Sequence, residues 1–163
     1  MKDSKKLYYN IYNEFYSVNK FRELKNIAHH GTTRLSHINR VSKLSFYISK
    51  ALGWDYISCT RGAIMHDFFT ADDLIRSNIK WKSYLKKHPV EALNNSISYF
   101  EVNNIEEDII LSHMYPITKK MPAYKEAKVV CLCDKLVGIY EFFRFEVKSN
   151  AMIALLFCLK FIR

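Results

Sequence analysis

The chain has 163 residues, 49% of them hydrophobic, with only four glycines and three prolines, a composition that suits one compact domain and excludes a disordered or linker-rich chain. Net charge is +9, and residues 1–50 hold ten Lys or Arg against three acids while the rest is nearly balanced at fifteen to thirteen. A basic amino-terminal half suits an anionic ligand such as a phosphate ester, a nucleotide or nucleic acid, or else forms a solvated face.

In chain order, the polar start Met1 to Lys6 is not expected to act as a signal peptide. Leu7, Ile11, Phe15 and Val18 then recur at helical spacing and predict an amphipathic first helix. The stretch His29-His30-Gly31-Thr32-Thr33 breaks the pattern, and Thr32 or Thr33 can cap a second helix over about 34–52. That helix carries His37, Val41, Leu44, Ile48 and Leu52 near one face, and Gly53 ends it. Asp55 is the expected N-cap of a third helix that bears Ile57, Arg61, Ile64 and Met65 and ends near His66-Asp67.

A polar stretch, about 70–87, has room for a short helix. Pro89 is expected in the first turn of a fourth helix over about 89–102. A fifth runs over about 106–115 and is stopped by Pro116; a loop with Pro122 leads to a sixth over about 123–143, and a last helix covers about 147–162. Its apolar part, 151–159, is far shorter than the ~20 residues of a membrane span. No segment alternates at period two and no repeat is visible. The expected architecture is therefore all-α, a compact single-domain bundle of about six to eight helices, cytoplasmic and without a membrane partner. Cys59, Cys131, Cys133 and Cys158 are expected to be reduced and mostly buried. Cys131 and Cys133, two apart on a helix, face nearly opposite sides and cannot chelate one ion together.

Four of the six histidines join two aspartates in the order His37, His66-Asp67, His88, His113, Asp134, each on or near a predicted helix. Imidazole suits Mn, Fe, Co, Ni or Zn, and carboxylate oxygens can bridge two ions. His66 and Asp67 lie about 100° apart around a helix end, so both can lean into one cleft. His37 and Asp134 can complete a first site, and His88 and His113 a second, with Asp67 bridging. Asp134 sits within the apolar run 129–139, where an unpaired carboxylate is costly to bury and an ion supplies the partner. Each residue also has a plain structural reading, as a satisfied core histidine or a helix-terminal polar group.

The order resembles the HD phosphohydrolase superfamily, an all-helical fold named for its adjacent His-Asp. The resemblance covers about residues 30–143 of a single HD-like domain spanning 1–163. It rests on His37-x-x-Arg40-Val41, Ala63-Ile64-Met65-His66-Asp67 and Cys133-Asp134-Lys135-Leu136. It implies His37, His66, Asp67 and Asp134 as ligands of one metal. His88 and His113 resemble the two-metal branch, which includes cyclic-dinucleotide phosphodiesterases and hydrolases of dinucleoside polyphosphates. Many of its members follow the His-Asp with a glycine and a phosphate-reaching lysine; here Phe68, Phe69 and Thr70 follow. The GYP signature of the cyclic-di-GMP enzymes is absent, and the long insertions of the dNTP triphosphohydrolases do not fit this length.

The implied activity is hydrolysis of a phosphate ester or anhydride in a nucleotide or related small molecule by metal-activated water, with Asp67 as the catalytic bridging carboxylate. One or two divalent ions are expected, Mn or Fe preferred and Co, Ni or Zn as substitutes. Arg40, Lys135, Arg34 and His30 are the candidate substrate-binding residues, His29 is read as structural, and Tyr115 and Trp81 as core aromatics rather than base-stacking groups. The alternative is a catalytically weak domain of the same kind that binds a nucleotide or nucleic acid as a sensor.

Overall fold

The computed structural model describes residues 2–29, 31–76 and 84–147. The predicted last helix, His30, Trp81 and Cys158 lie outside the described residues. The fold is all-α, with eight α-helices among the described residues: α1 (Lys2–Tyr16), α2 (Asn19–Glu23), α3 (Arg34–Ala51), α4 (Tyr56–Met65), α5 (Ala71–Arg76), α6 (Tyr84–Tyr99), α7 (Asn104–Ser112) and α8 (Lys125–Glu141). A 3₁₀ turn (Leu24–Asn26) follows α2, and a π-helical turn (Phe142–Val147) continues α8. Among the described residues no helix is long and apolar enough to cross a membrane.

Local chemistry accounts for most boundaries. Thr33 caps α3 by accepting from the Ser36 amide at 3.2 Å, and Gly53, at φ 67°, lets the chain leave its far end. The carbonyls there are taken up as Gly53 N–H donates to Lys50 and Trp54 N–H to Ser49. Asp55 caps α4 through the Ser58 amide at 3.0 Å. Asn103 and Glu106 form a reciprocal capping box that starts α7 two residues before the expected Glu106. The break at 29–33 is a minimal antiparallel hairpin, β1 (Ala28–His29) against β2 (Thr32–Thr33), with Gly31 at φ 71°.

Two expected ends moved. Pro89 lies inside α6 rather than in its first turn, as the helix already runs from Tyr84. The carbonyl that loses its donor to the proline is that of Leu85, an exposed residue that water can serve. Helix α7 stops at Ser112, ahead of the stretch before Pro116, and His113 is its C-cap.

Helix α3 runs between two apolar clusters. Leu35, Ile38 and Phe46 pack with Tyr8, Phe15 and Phe21 of α1 and α2 and with Ile64 and Met65 of α4. On its other side Val41 packs with Ala63, Ile109, Val130, Cys133 and Val137 of α4, α7 and α8. Cys59, Cys131 and Cys133 are free, buried thiols. Where α4 crosses α7 there is no room to spare: a Cβ on Gly62 would lie 2.6 Å from Ile109 Cδ1 and 3.0 Å from its Cβ.

A buried histidine and carboxylate cluster

The ends of this packing place six side chains together. His37 stands in the first turn of α3, His66 is the C-cap of α4 with Asp67 next, His88 is on α6, His113 caps α7 and Asp134 lies on α8. Phe68 and Phe69, both fully buried, follow Asp67. Burying each is worth about 1.5–3 kcal/mol, and together they pin the carboxylate at the cluster.

Three of the histidines are aimed by one device. Nδ1 of His66 lies 2.8 Å from the Ala63 carbonyl, Nδ1 of His113 2.7 Å from that of Ile110, and Nδ1 of His88 3.1 Å from that of Tyr84. A carbonyl oxygen only accepts, so each Nδ1 carries the proton and, in the neutral imidazole, each Nε2 presents a lone pair. His66 and His113 borrow carbonyls in the last turn of their helices, where no backbone donor follows. The bare nitrogens converge on Asp67: Oδ1 is 3.4 Å from His88 Nε2 and 3.8 Å from His113 Nε2, and Oδ2 is 3.9 Å from His66 Nε2.

This arrangement asks for a cation. The Nε2 atoms of His88 and His113 face each other at 3.0 Å, and that of His66 is buried without a hydrogen-bond partner. An orphaned buried polar atom costs about 1–3 kcal/mol. Burial, helped by the neighbouring imidazoles, holds His113 down to about 3 and keeps His88 low as well, so neither supplies the missing proton. Asp67 and Asp134 stay ionised far below the usual carboxylate range: burial opposes this, but the surrounding histidines outweigh it. His66 feels burial first, yet Asp67 and Asp134 pull its pKa upward, which marks strong negative potential at its Nε2.

The cluster's buried groups can hold a metal ion. Donor atoms of His37, His66 and Asp67 lie within 4.8 Å of one another, as do those of Asp67, His88 and His113, with Asp67 common to both sets. Asp134 Oδ1 adds an oxygen 3.0 Å from His37 Nε2 and 3.6 Å from His66 Nε2. Nitrogen and carboxylate oxygen without sulfur is a donor set for borderline and harder divalent ions.

Glu141 and His29 extend the cluster. Glu141 is fully buried; its Oε2 lies 2.8 Å from His37 Nδ1 and its Oε1 accepts from Arg40 Nη1 at 2.6 Å. Burial works against a charged His37, but the hydrogen bonds to Asp134 and Glu141 outweigh it and raise the group to about 10. Glu141 was missed in the sequence, although it follows Asp134 by seven residues, two turns of the same helix. His29, read there as structural, lines the cavity with Nε2 3.9 Å from Asp67 Oδ2, and its donor atom groups with those of His37 and Glu141.

Of the six side chains, all but His66 line a cavity of about 910 Å³, whose wall also includes Ile27, Leu85, Met114 and Ile117. Of the candidate substrate-binding residues, Arg34 and Lys135 line it and Arg40 does not. Lys135 Nζ is engaged by the carbonyls of His113 and Cys131 and by Cys131 Sγ at 3.0–3.1 Å. Tyr115 is partly exposed outside the cores and does not line the cavity.

No known family model, curated protein or solved structure matches the chain. The class that fold and site define is an all-α protein with a buried cluster of His and Asp side chains able to hold metal.

Proposed function

We propose that this protein is a metal-dependent phosphohydrolase of the HD kind, acting on a phosphate ester or anhydride of a nucleotide or related small molecule. The carrying observation is the convergence of imidazole nitrogens on Asp67, which lines the cavity. His37, His66, Asp67 and Asp134 would hold one ion; Asp67, His88 and His113 a second. A bound divalent ion polarises a phosphoryl oxygen and makes water nucleophilic near neutral pH. Mn or Fe suit the mixed nitrogen and oxygen set, with Co, Ni or Zn as substitutes.

The chain's own residues do the positioning. Ala63, Ile110 and Tyr84 carbonyls set the tautomer of three ligands, and Glu141 sets that of His37. Asp67, shared by both donor sets, would be the bridging carboxylate.

The test is metal content by elemental mass spectrometry of protein purified without a metal-affinity step, followed by phosphate release from a nucleotide panel. Near two equivalents of transition metal, falling in His88→Ala and His113→Ala, is expected, and Asp67→Ala should abolish turnover while staying helical. Full turnover by Asp67→Ala would sink the assignment. Tight nucleotide binding by the metal-loaded protein without phosphate release would replace it with the sensor reading.

A further inference from the structure

Arg34 is a buried cation without a carboxylate partner among the described residues. It opens α3 just after the hairpin, is 5% exposed, and its guanidinium carbon lies over the Phe69 ring, 3.8 Å from the centroid. Nη1 donates to the Phe69 carbonyl at 2.6 Å and Nη2 to the Tyr84 hydroxyl at 3.2 Å. Nε is buried with no hydrogen-bond partner among the described residues. Both of its polar partners are neutral, whereas buried guanidinium groups are ordinarily paired with an anion. A purely structural tie between the hairpin and Phe69 would need no charge in this wall.

Arg34 and Asp67 line the same cavity. A divalent ion on Asp67 would take up that carboxylate's field and leave Arg34 facing additional positive charge. An anion entering the cavity then meets a flat, preset guanidinium on one side and the metal-holding cluster on the other. Tyr84, whose ring stacks on His88 with centroids 5.1 Å apart, joins the two, with its hydroxyl on Arg34 and its carbonyl on the Nδ1–H of His88.

We infer that Arg34 binds a phosphoryl oxygen of the substrate and that Tyr84 is its positioning residue. The inference rests on the phosphohydrolase reading and names the group that neutralises the phosphate. Arg40 and Lys135 are less suited, one committed to Glu141 and the other to backbone carbonyls and Cys131.

The test uses phenylphosphonate, a non-hydrolysable probe whose ring suits the apolar wall, titrated calorimetrically into Mn²⁺-loaded protein. Arg34→Gln should lower its affinity at least tenfold, as loss of a charge-assisted hydrogen bond does, with metal content unchanged. Tyr84→Phe keeps the ring and should lower affinity a few-fold, roughly 2–5, without moving the melting temperature. Should Arg34→Gln not fold, Arg34→Lys and Tyr84→Phe carry the test, and full affinity in both overturns the inference. Unchanged affinity in folded Arg34→Gln overturns it too, and leaves the hydrolase reading standing. Wild-type protein that holds metal but neither binds the phosphonate nor releases phosphate overturns both.

Discussion

At the scale of single residues, the cluster separates groups that could hold a cation from groups that aim them. Glu141 belongs to the second kind: it reaches His37 Nδ1 at 2.8 Å, on the side of the ring away from Asp134. Carboxylates behind a ligating imidazole typically change metal affinity by about 10–100-fold. Glu141→Gln should therefore retain the fold and lose metal affinity in that range, read by competition with a chelating dye; unchanged affinity would make Glu141 a mere partner of Arg40. The sequence signalled His37, His66, Asp67, His88, His113 and Asp134 because their order and helical placement are local properties. It could not signal Glu141 or Tyr84, whose parts depend on which way two helices turn.

Between elements, the close approach of α4 and α7 brings His66 and His113 together, since each caps one of these helices. Gly62→Ala forces Ile109 to shift, and overpacking of this kind costs about 1–3 kcal/mol. Thermal melts should record that loss, together with weaker metal retention as the two C-caps separate. Gly138→Ala on α8 is the control, with nothing within 4 Å of the new Cβ. It should stabilise by about 0.5–1 kcal/mol through helix propensity; equal effects at both glycines would refute the steric account.

A second junction ties α5 to α2 and α6. Asp73 accepts from Lys20 Nζ at 2.7 Å, from the Thr70 amide at 2.7 Å and from Asn95 Nδ2 at 2.8 Å. Burial opposes its ionisation, but these bonds, that from Lys20 foremost, lower its pKa to about 2. A lowered carboxylate pKa stabilises the fold above the unfolded value near ~3.9 and ceases to do so as pH falls toward 2. Asp73→Asn should thus flatten the acid limb of stability between about pH 4 and pH 2, measured by urea melts, while an unchanged limb would assign it to other carboxylates.

For the whole molecule, the helices meet around a centre of like-charged carboxylates and bare lone pairs. A ligand that binds only the folded state at a hundredfold over its Kd adds about 2.7 kcal/mol. Chelation should accordingly lower the melting temperature by roughly 5–10 °C for a domain of this size, and a melt indifferent to both chelator and Mn²⁺ would argue against a metal at the cluster.

The sequence by itself determined the all-α class, a cap at Thr32 or Thr33 and those at Gly53 and Asp55, and the set of six ligand-type residues. Each follows from spacing, turn chemistry or side-chain type within a few positions along the chain. Only the tertiary structure decided that Asp67 is the point on which His66, His88 and His113 converge, that Glu141 backs His37, that His29 reaches the cavity, and that Arg34 rather than Arg40 faces it. It also carried α6 back through Pro89, because an exposed Leu85 carbonyl can turn to water while His88 is held inward. Such outcomes depend on how helices distant in sequence rotate and approach, and that is set by burial of Phe68, Phe69 and the Gly62–Ile109 contact, not by local propensity.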